Sequence, residues 1–170
     1  MPDYLNKEIL ILGCGNILFG DDGFGYAVIN KLKEIRDNYP ISKCAKLNSD
    51  KIEIIDAGTG ASHFILSLID KDTPIKKIII IDAIDFGLKP GELTKLYPED
   101  LPNIKKYHID AHDMPLAEMI KEINEKYGVK TVVIGCQSKN MTAPDICLEL
   151  SEEVKNAVDN AVEMVLDELL

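Results

Sequence analysis

ILILGCGNILFGDDGFG, residues 9–25, decides how the rest of the chain is read. Four apolar residues, Ile9 to Leu12, read as a buried parallel strand, and Gly13, Gly15 and Gly20 permit backbone turns that a side chain would block. From Tyr26 the apolar spacing becomes helical. The stretch is therefore a strand, a glycine-rich loop and a helix start, and open α/β sheets bind their ligands at such loops, outside the carboxyl ends of the strands. Two nucleotide readings fail on charge. Gly15 and Gly20 have P-loop spacing, but Asp21 and Asp22 stand where a phosphate cradle needs lysine. The dinucleotide fingerprint lacks its third glycine, because Leu18 holds that position, and two carboxylates would repel a pyrophosphate. Carboxylates here suit a cation, a general base or a helix N-cap, and one aspartate can cap while its neighbour points into the cleft.

The same pattern of strand, polar turn and helix recurs downstream. Ile52 to Ile55 reads as a strand ending at Asp56, followed by the glycine turn Ala57-Gly58-Thr59-Gly60, in which Asp56 or Thr59 can fasten the backbone. A helix over about 61–70 carries His63, read as a surface or capping histidine. Lys77 to Ile81 is the most apolar segment and is expected at the centre of the sheet, ending in Asp82-Ala83-Ile84-Asp85. A carboxylate at that place is costly to desolvate, so it is either satisfied by backbone donors or present to act. Glu92 to Tyr97 alternates as a short antiparallel strand. YHIDAHDMP, residues 107–115, holds His108 and His112 ahead of a helix over about 114–127, with Asp113 as its N-cap. A histidine just before a helix start is favoured as a neutral imidazole, able to bind metal or accept a proton. The last strand, Lys130 to Ile134, leads into a Gly135-Cys136-Gln137-Ser138 turn. A terminal helix then buries Leu148, Val154, Val158, Val162, Val165 and Leu169, with its acidic residues solvated. The expected fold is α/β: a single domain over residues 1–170, with a mostly parallel, five-stranded twisted sheet covered by helices on both faces.

Composition narrows the function. At 170 residues the chain buries a full core without disulfides, so Cys14, Cys44, Cys136 and Cys147 read as reduced thiols: Cys14 and Cys136 are either small buried residues or, if they approach one another at one sheet edge, a thiolate site. Nineteen Lys and Arg against 29 Asp and Glu give a net charge of -10, which argues against nucleic acid or an anionic membrane as partner. The longest apolar run is too short to span a bilayer and MPDYLNKE is unlike a signal peptide, so a cytoplasmic protein is expected.

Asp22, Asp82 and His112 come from three loops that converge at one sheet edge in a doubly wound fold. Two carboxylates and an imidazole make an open set for a divalent ion, so the residues alone point to a metal-dependent hydrolase. GNILFGDDGFG, DAGTG, IDAIDFGLKPGEL and AHDMPL, in that order across nearly the whole chain, resemble the maturation endopeptidases of nickel-iron hydrogenases. The doubled aspartate and the DxxDxGLxPGE run are similar to the branch serving archaeal deazaflavin-coenzyme-reducing hydrogenases and to the formate-hydrogenlyase protease. The resemblance implies a protease that removes a carboxyl-terminal extension from the precursor of the hydrogenase large subunit once nickel is in place. It implies that Asp22, Asp82 and His112 are the metal-contacting positions; the mechanism expected from them has the nickel supplied by the substrate precursor, Asp82 or Asp22 as the catalytic base, and no tightly bound cofactor. Gly135 to Ser138 depart from the family, whose members often end that motif in proline. The competing classes are a non-catalytic nickel-dependent checkpoint or chaperone for the large subunit, and an aminopeptidase with its own metal. Oligomeric state is not expressed in the sequence.

Overall fold

The computed structural model describes residues 6–38, 45–97 and 116–169. Its centre is β3, Lys77–Ile84, in which Ile78 to Ile81 are wholly buried. A strand this apolar on both faces needs cover above and below, which helices supply, and it lies at the middle of a five-stranded sheet of order β2-β1-β3-β5-β4. β1 (Ile9–Cys14), β2 (Ile52–Gly58), β3 and β5 (Lys130–Gln137) run parallel, and β4 (Leu93–Leu96) closes one edge antiparallel to β5.

Alternation along the strands divides the core into two layers. Ile11, Ile79, Ile81 and Ile134 pack with α1 (Phe24–Asn38) and α4 (Glu152–Glu168). Leu10, Leu12, Ile78, Ile80 and Val133 pack with α2 (Ala61–Leu68) and α3 (Leu116–Tyr127). α1 buries Phe24, Val28, Ile29 and Leu32, spaced to form one helical face. Each buried isoleucine contributes about 1.5–3 kcal/mol relative to exposure, so the two layers hold the sheet between them. This is the expected α/β architecture of five mostly parallel strands with helices on both faces.

Strand ends and the start of the last helix differ from the sequence reading: β1 continues past Leu12 to Cys14, and β2 past Ile55 to Gly58. β3 runs on through Asp82 to Ile84, and β5 continues through Gly135 and Cys136 to Gln137, because each pairs with the other over the full register from Lys77–Lys130 to Ile84–Gln137. α4 starts only at Glu152, so Leu148 lies outside the helix and is 72% exposed rather than part of its apolar face. The acidic face of α4 is not uniformly solvated either, since Glu168 is held by Lys77, Lys95 and Tyr97. Among the described residues no helix is long and apolar enough to cross a membrane.

Candidate active site

The chain leaves β1 through α1 towards β2 and leaves β3 towards β4 and β5 on the other side of the sheet, so its connections diverge between β1 and β3. A crevice opens at the carboxyl ends of neighbouring strands where this happens. The loop after β1 carries a 3-10 turn, Asp21–Gly23, which lies against β3. Asp82 is the first residue of β3 beyond its last partner in β1, the Gly13–Ile81 pair, and is still paired to Gly135 of β5.

Two glycines bring the helix down onto this crevice. A Cβ on Gly13 would meet Ile29 Cγ1 at 2.5 Å and the Gly25 carbonyl at 2.7 Å. One on Gly25 would collide with the Cys14 carbonyl and meet the Ile81 carbonyl at 2.6 Å. α1 therefore begins almost on the backbone of β1 and β3, and the turn preceding it is delivered to the strand ends. Gly25 was not singled out by the sequence reading. Its signal is a glycine inside a helix, where it costs about 1 kcal/mol against alanine unless close packing requires it.

The two adjacent aspartates have separate partners. Asp21 is fully buried and its Oδ2 accepts from the backbone N–H groups of Lys139 (2.8 Å) and Asn140 (2.7 Å) and from the Ser151 hydroxyl (2.9 Å). Its Oδ1 accepts from the Ser151 N–H at 2.7 Å. Burial pushes its pKa up, but the bonds from Asn140, Ser151 and Lys139 outweigh burial and hold the carboxyl below its ordinary value. Asp21 thus fastens residues 139–151 to the loop after β1. Asp22 is half-buried, and its Oδ2 accepts the Asn16 N–H at 3.0 Å. Oδ1 has no hydrogen bond among the described residues and sits over Gly15, whose φ of 109° and missing Cβ make room for it. The expected division is between a capping and a cleft-facing aspartate, and its first half is corrected. Neither carboxylate caps α1: Asp21 binds a distant loop, and the 3-10 turn has no side-chain cap.

Asp82 is 9% exposed. Its parity with Ile78 and Ile80 assigns it to the face of the sheet covered by α2 and α3. Helix α3 begins at Leu116; His112 and His108 lie outside the described residues, as does the expected Asp113 cap. The structure therefore brings the turn of Asp22 and the strand of Asp82 to one crevice. Among the described residues, which exclude His112, no group of three or more His, Cys, Asp or Glu is placed to hold a metal.

The other candidates sort themselves by environment. Asp56 fastens its own turn, accepting the Gly58 N–H at 3.1 Å, and His63 is an exposed residue of α2. Cys14 and Cys136 do not form a thiolate site. They belong to opposite faces of the sheet with β3 between them, and burial, reinforced by the Asp21 charge, pushes Cys136 up to about 12. Gln137, singled out only as part of a departing motif, is 5% exposed and organises the loop beyond β3. Its Oε1 accepts from the Phe86 N–H (2.8 Å) and the Leu88 N–H (3.3 Å), and its Nε2 donates to Asp85 Oδ1 at 3.1 Å.

A family model described as hydrogenase maturation protease matches residues 27–168. A Methanocaldococcus jannaschii protein with a provisional description as a hydrogenase maturation protease is 51% identical over 163 residues, 96% of this chain and 97% of that one. The coenzyme F420 hydrogenase subunit delta of Methanothermobacter thermautotrophicus is 40% identical over 96% of each chain. Among solved structures, the nickel-iron hydrogenase maturation protease HybD of Thermococcus kodakarensis superposes with a TM-score of 0.69 at 27% identity, covering 96% of this chain and 99% of that one. With the matched model spanning most of its length and two relatives aligned nearly end to end, the chain belongs to the hydrogenase maturation protease family.

Proposed function

We propose that this chain is the endopeptidase that removes the carboxyl-terminal extension of a nickel-iron hydrogenase large-subunit precursor after nickel insertion, with Asp22, Asp82 and His112 as the residues that meet the nickel. The supporting observation is the crevice between β1 and β3, where the Asp21–Gly23 turn lies against the strand that carries Asp82. Family membership supports the proteolytic class.

The nickel arrives as part of the substrate, held by its thiolates. The donor set of this chain suits that arrangement: two carboxylates and an imidazole leave positions for ligands from elsewhere, and Asp22 Oδ1 is a lone-pair donor with no competing hydrogen bond among the described residues. A metal beside a scissile peptide polarises its carbonyl or acidifies a water. Asp82 or Asp22 takes the proton as water adds to the carbonyl carbon, and that proton passes to the departing amine as the C–N bond breaks. Water is favoured over a cysteine nucleophile because Cys136 is a neutral thiol and Cys14 is 7% exposed.

The test is to incubate the protein with nickel-loaded and nickel-free precursor and to weigh the products by mass spectrometry. Shortening of the nickel-loaded form alone, with weak binding of free nickel or zinc to the enzyme by calorimetry, is expected. An unshortened precursor released later in time would instead make the chain a checkpoint. Tight zinc binding with cleavage of nickel-free precursor would make it a peptidase with its own metal.

A further inference from the structure

Eight large apolar side chains are exposed among the described residues, and six of them, Ile17, Leu18, Tyr26, Met141, Ile146 and Leu148, come from the start of α1 and from two loops that are bonded to each other. Those loops are not loose ends. Gly20 N–H donates to the Cys147 carbonyl (2.8 Å), Cys147 N–H to the Leu18 carbonyl (2.8 Å) and Asp21 N–H to the Asn140 carbonyl (2.9 Å), while the buried Asp21 carboxylate clamps residues 139–151 from below. Ile146 and Leu148 are 71% and 72% exposed on this fixed platform, and it is the grouping of six such side chains on bonded loops, rather than any one of them, that marks an interaction surface.

The platform continues into a groove between α1 and α4. One part, about 520 Å³, is lined by Ile17, Gly20, Gly23, Tyr26, Leu148 and Leu150, among others. The next, about 670 Å³, shares Ala27, Leu150 and Val158 with it and adds Glu149, Glu152, Asp159 and Lys155. Lys31 and Glu34 also line the groove as an ion pair, while Glu149, Glu152 and Asp159 make no ion pair among the described residues, so four carboxylates stand against two ammoniums along it. The charge calls for a basic occupant, in keeping with the -10 of the whole chain. Gly20 and Gly23, which flank Asp21 and Asp22 in sequence, line the groove, so the groove borders the turn that carries Asp22.

We infer that this platform and groove dock the substrate protein, through a segment that is apolar and flanked by lysine or arginine, and so hold the precursor while its extension is presented to the crevice. The inference rests on the proteolytic reading above for the identity of the partner. A fixed apolar centre with a charged rim is the usual anatomy of a protein-binding surface, in which the apolar residues govern affinity and the rim governs partner choice.

The experiment compares wild type with I146D/L148D and with E149K/D159K, all four positions being outside the core. Circular dichroism and thermal melting check that each variant is folded. With nickel-loaded precursor, I146D/L148D is expected to raise KM at least tenfold while kcat falls less than twofold. E149K/D159K is expected to raise KM severalfold and to flatten the loss of affinity that wild type shows with added salt. An unchanged KM in both folded variants overturns the docking surface while leaving the proteolytic reading intact. If wild type fails to shorten the precursor, the proteolytic reading falls instead, and calorimetric binding of precursor to wild type but not to I146D/L148D still upholds docking. Equal binding to both overturns it. A wild-type dimer dissolved by I146D/L148D, with KM unchanged, would give the surface to a second copy of this chain.

Discussion

Asparagine in place of Asp21 keeps the shape and removes the charge, yet every orientation of its amide turns an N–H₂ toward a donor, because both carboxylate oxygens accept hydrogen bonds. D21N is expected to cost about 2–3 kcal/mol of stability, read from guanidinium denaturation. The pH dependence follows the same bonds. The folded value of Asp21 lies below its ordinary 3.8, so its contribution is complete above that pH and is lost as pH falls through the folded value. D22N retains an acceptor for the Asn16 N–H and is expected to shift stability by less than about 0.5 kcal/mol while lowering cleavage of nickel-loaded precursor. D82N is expected to abolish cleavage in a folded protein, since the isosteric amide can neither take a proton nor supply a charge to a cation. Wild-type cleavage by folded D82N would remove Asp82 from the chemistry. In the same assay H112A should lose far more activity than H63A, whose imidazole is exposed on α2.

Strand ends are where the sequence was hardest to read. Asp82 and Gly135 look like terminators in isolation, but the β3–β5 ladder passes through both, and β4 adds a further pairing from Leu93–Cys136 to Leu96–Val133. Long-range pairing decided those residues, against their local preference. Periodicity, by contrast, was enough to place the central strand, the four helices, the antiparallel edge and the loop of Asp21 and Asp22, because apolar spacing is a local record of which face is buried. Nothing local could have shown that Asp21 reaches residues 139–151, or that Gln137 reaches back to the loop after β3. The same limit applied to Cys14 and Cys136, since similar places at strand ends do not reveal which side of the sheet each thiol takes. Gln137 carries a prediction at this scale. Q137A leaves the N–H groups of Phe86 and Leu88 without their acceptor, and faster hydrogen exchange at those two amides is expected, with a stability loss of about 1–3 kcal/mol. Unchanged exchange there would show that the loop holds its shape without the glutamine.

Across the whole molecule, the end of the sheet away from the crevice is tied by one carboxylate. Glu168 sits in the last turn of α4, where the helix dipole disfavours a negative charge. Its Oε2 meets Lys77 Nζ at 2.8 Å, at the beginning of β3, and its Oε1 meets Lys95 Nζ at 3.1 Å and accepts the Tyr97 hydroxyl at 2.9 Å, beside the antiparallel edge. Lys77 Nζ also donates to the Glu168 carbonyl at 2.6 Å, satisfying an orphan acceptor of the helix end. Terminal helix, central strand and edge strand are thereby joined at one point, at the opposite end of β3 from Asp82. Burial alone would raise the pKa of Glu168, but hydrogen bonds from Lys77, Tyr97 and Lys95 bring it down to about 2 from 4.5. A folded value below the unfolded one gives stability that is complete above about pH 4.5 and is lost as pH falls toward about 2. E168Q is therefore expected to be less stable than wild type by about 1–3 kcal/mol at neutral pH. Guanidinium denaturation of both proteins at pH 7, 5 and 3 should show a constant gap between the first two values and a narrower gap at the third. A gap as wide at pH 3 as at pH 7 would mean that the clasp stabilises through packing of the side chain, with its charge contributing nothing.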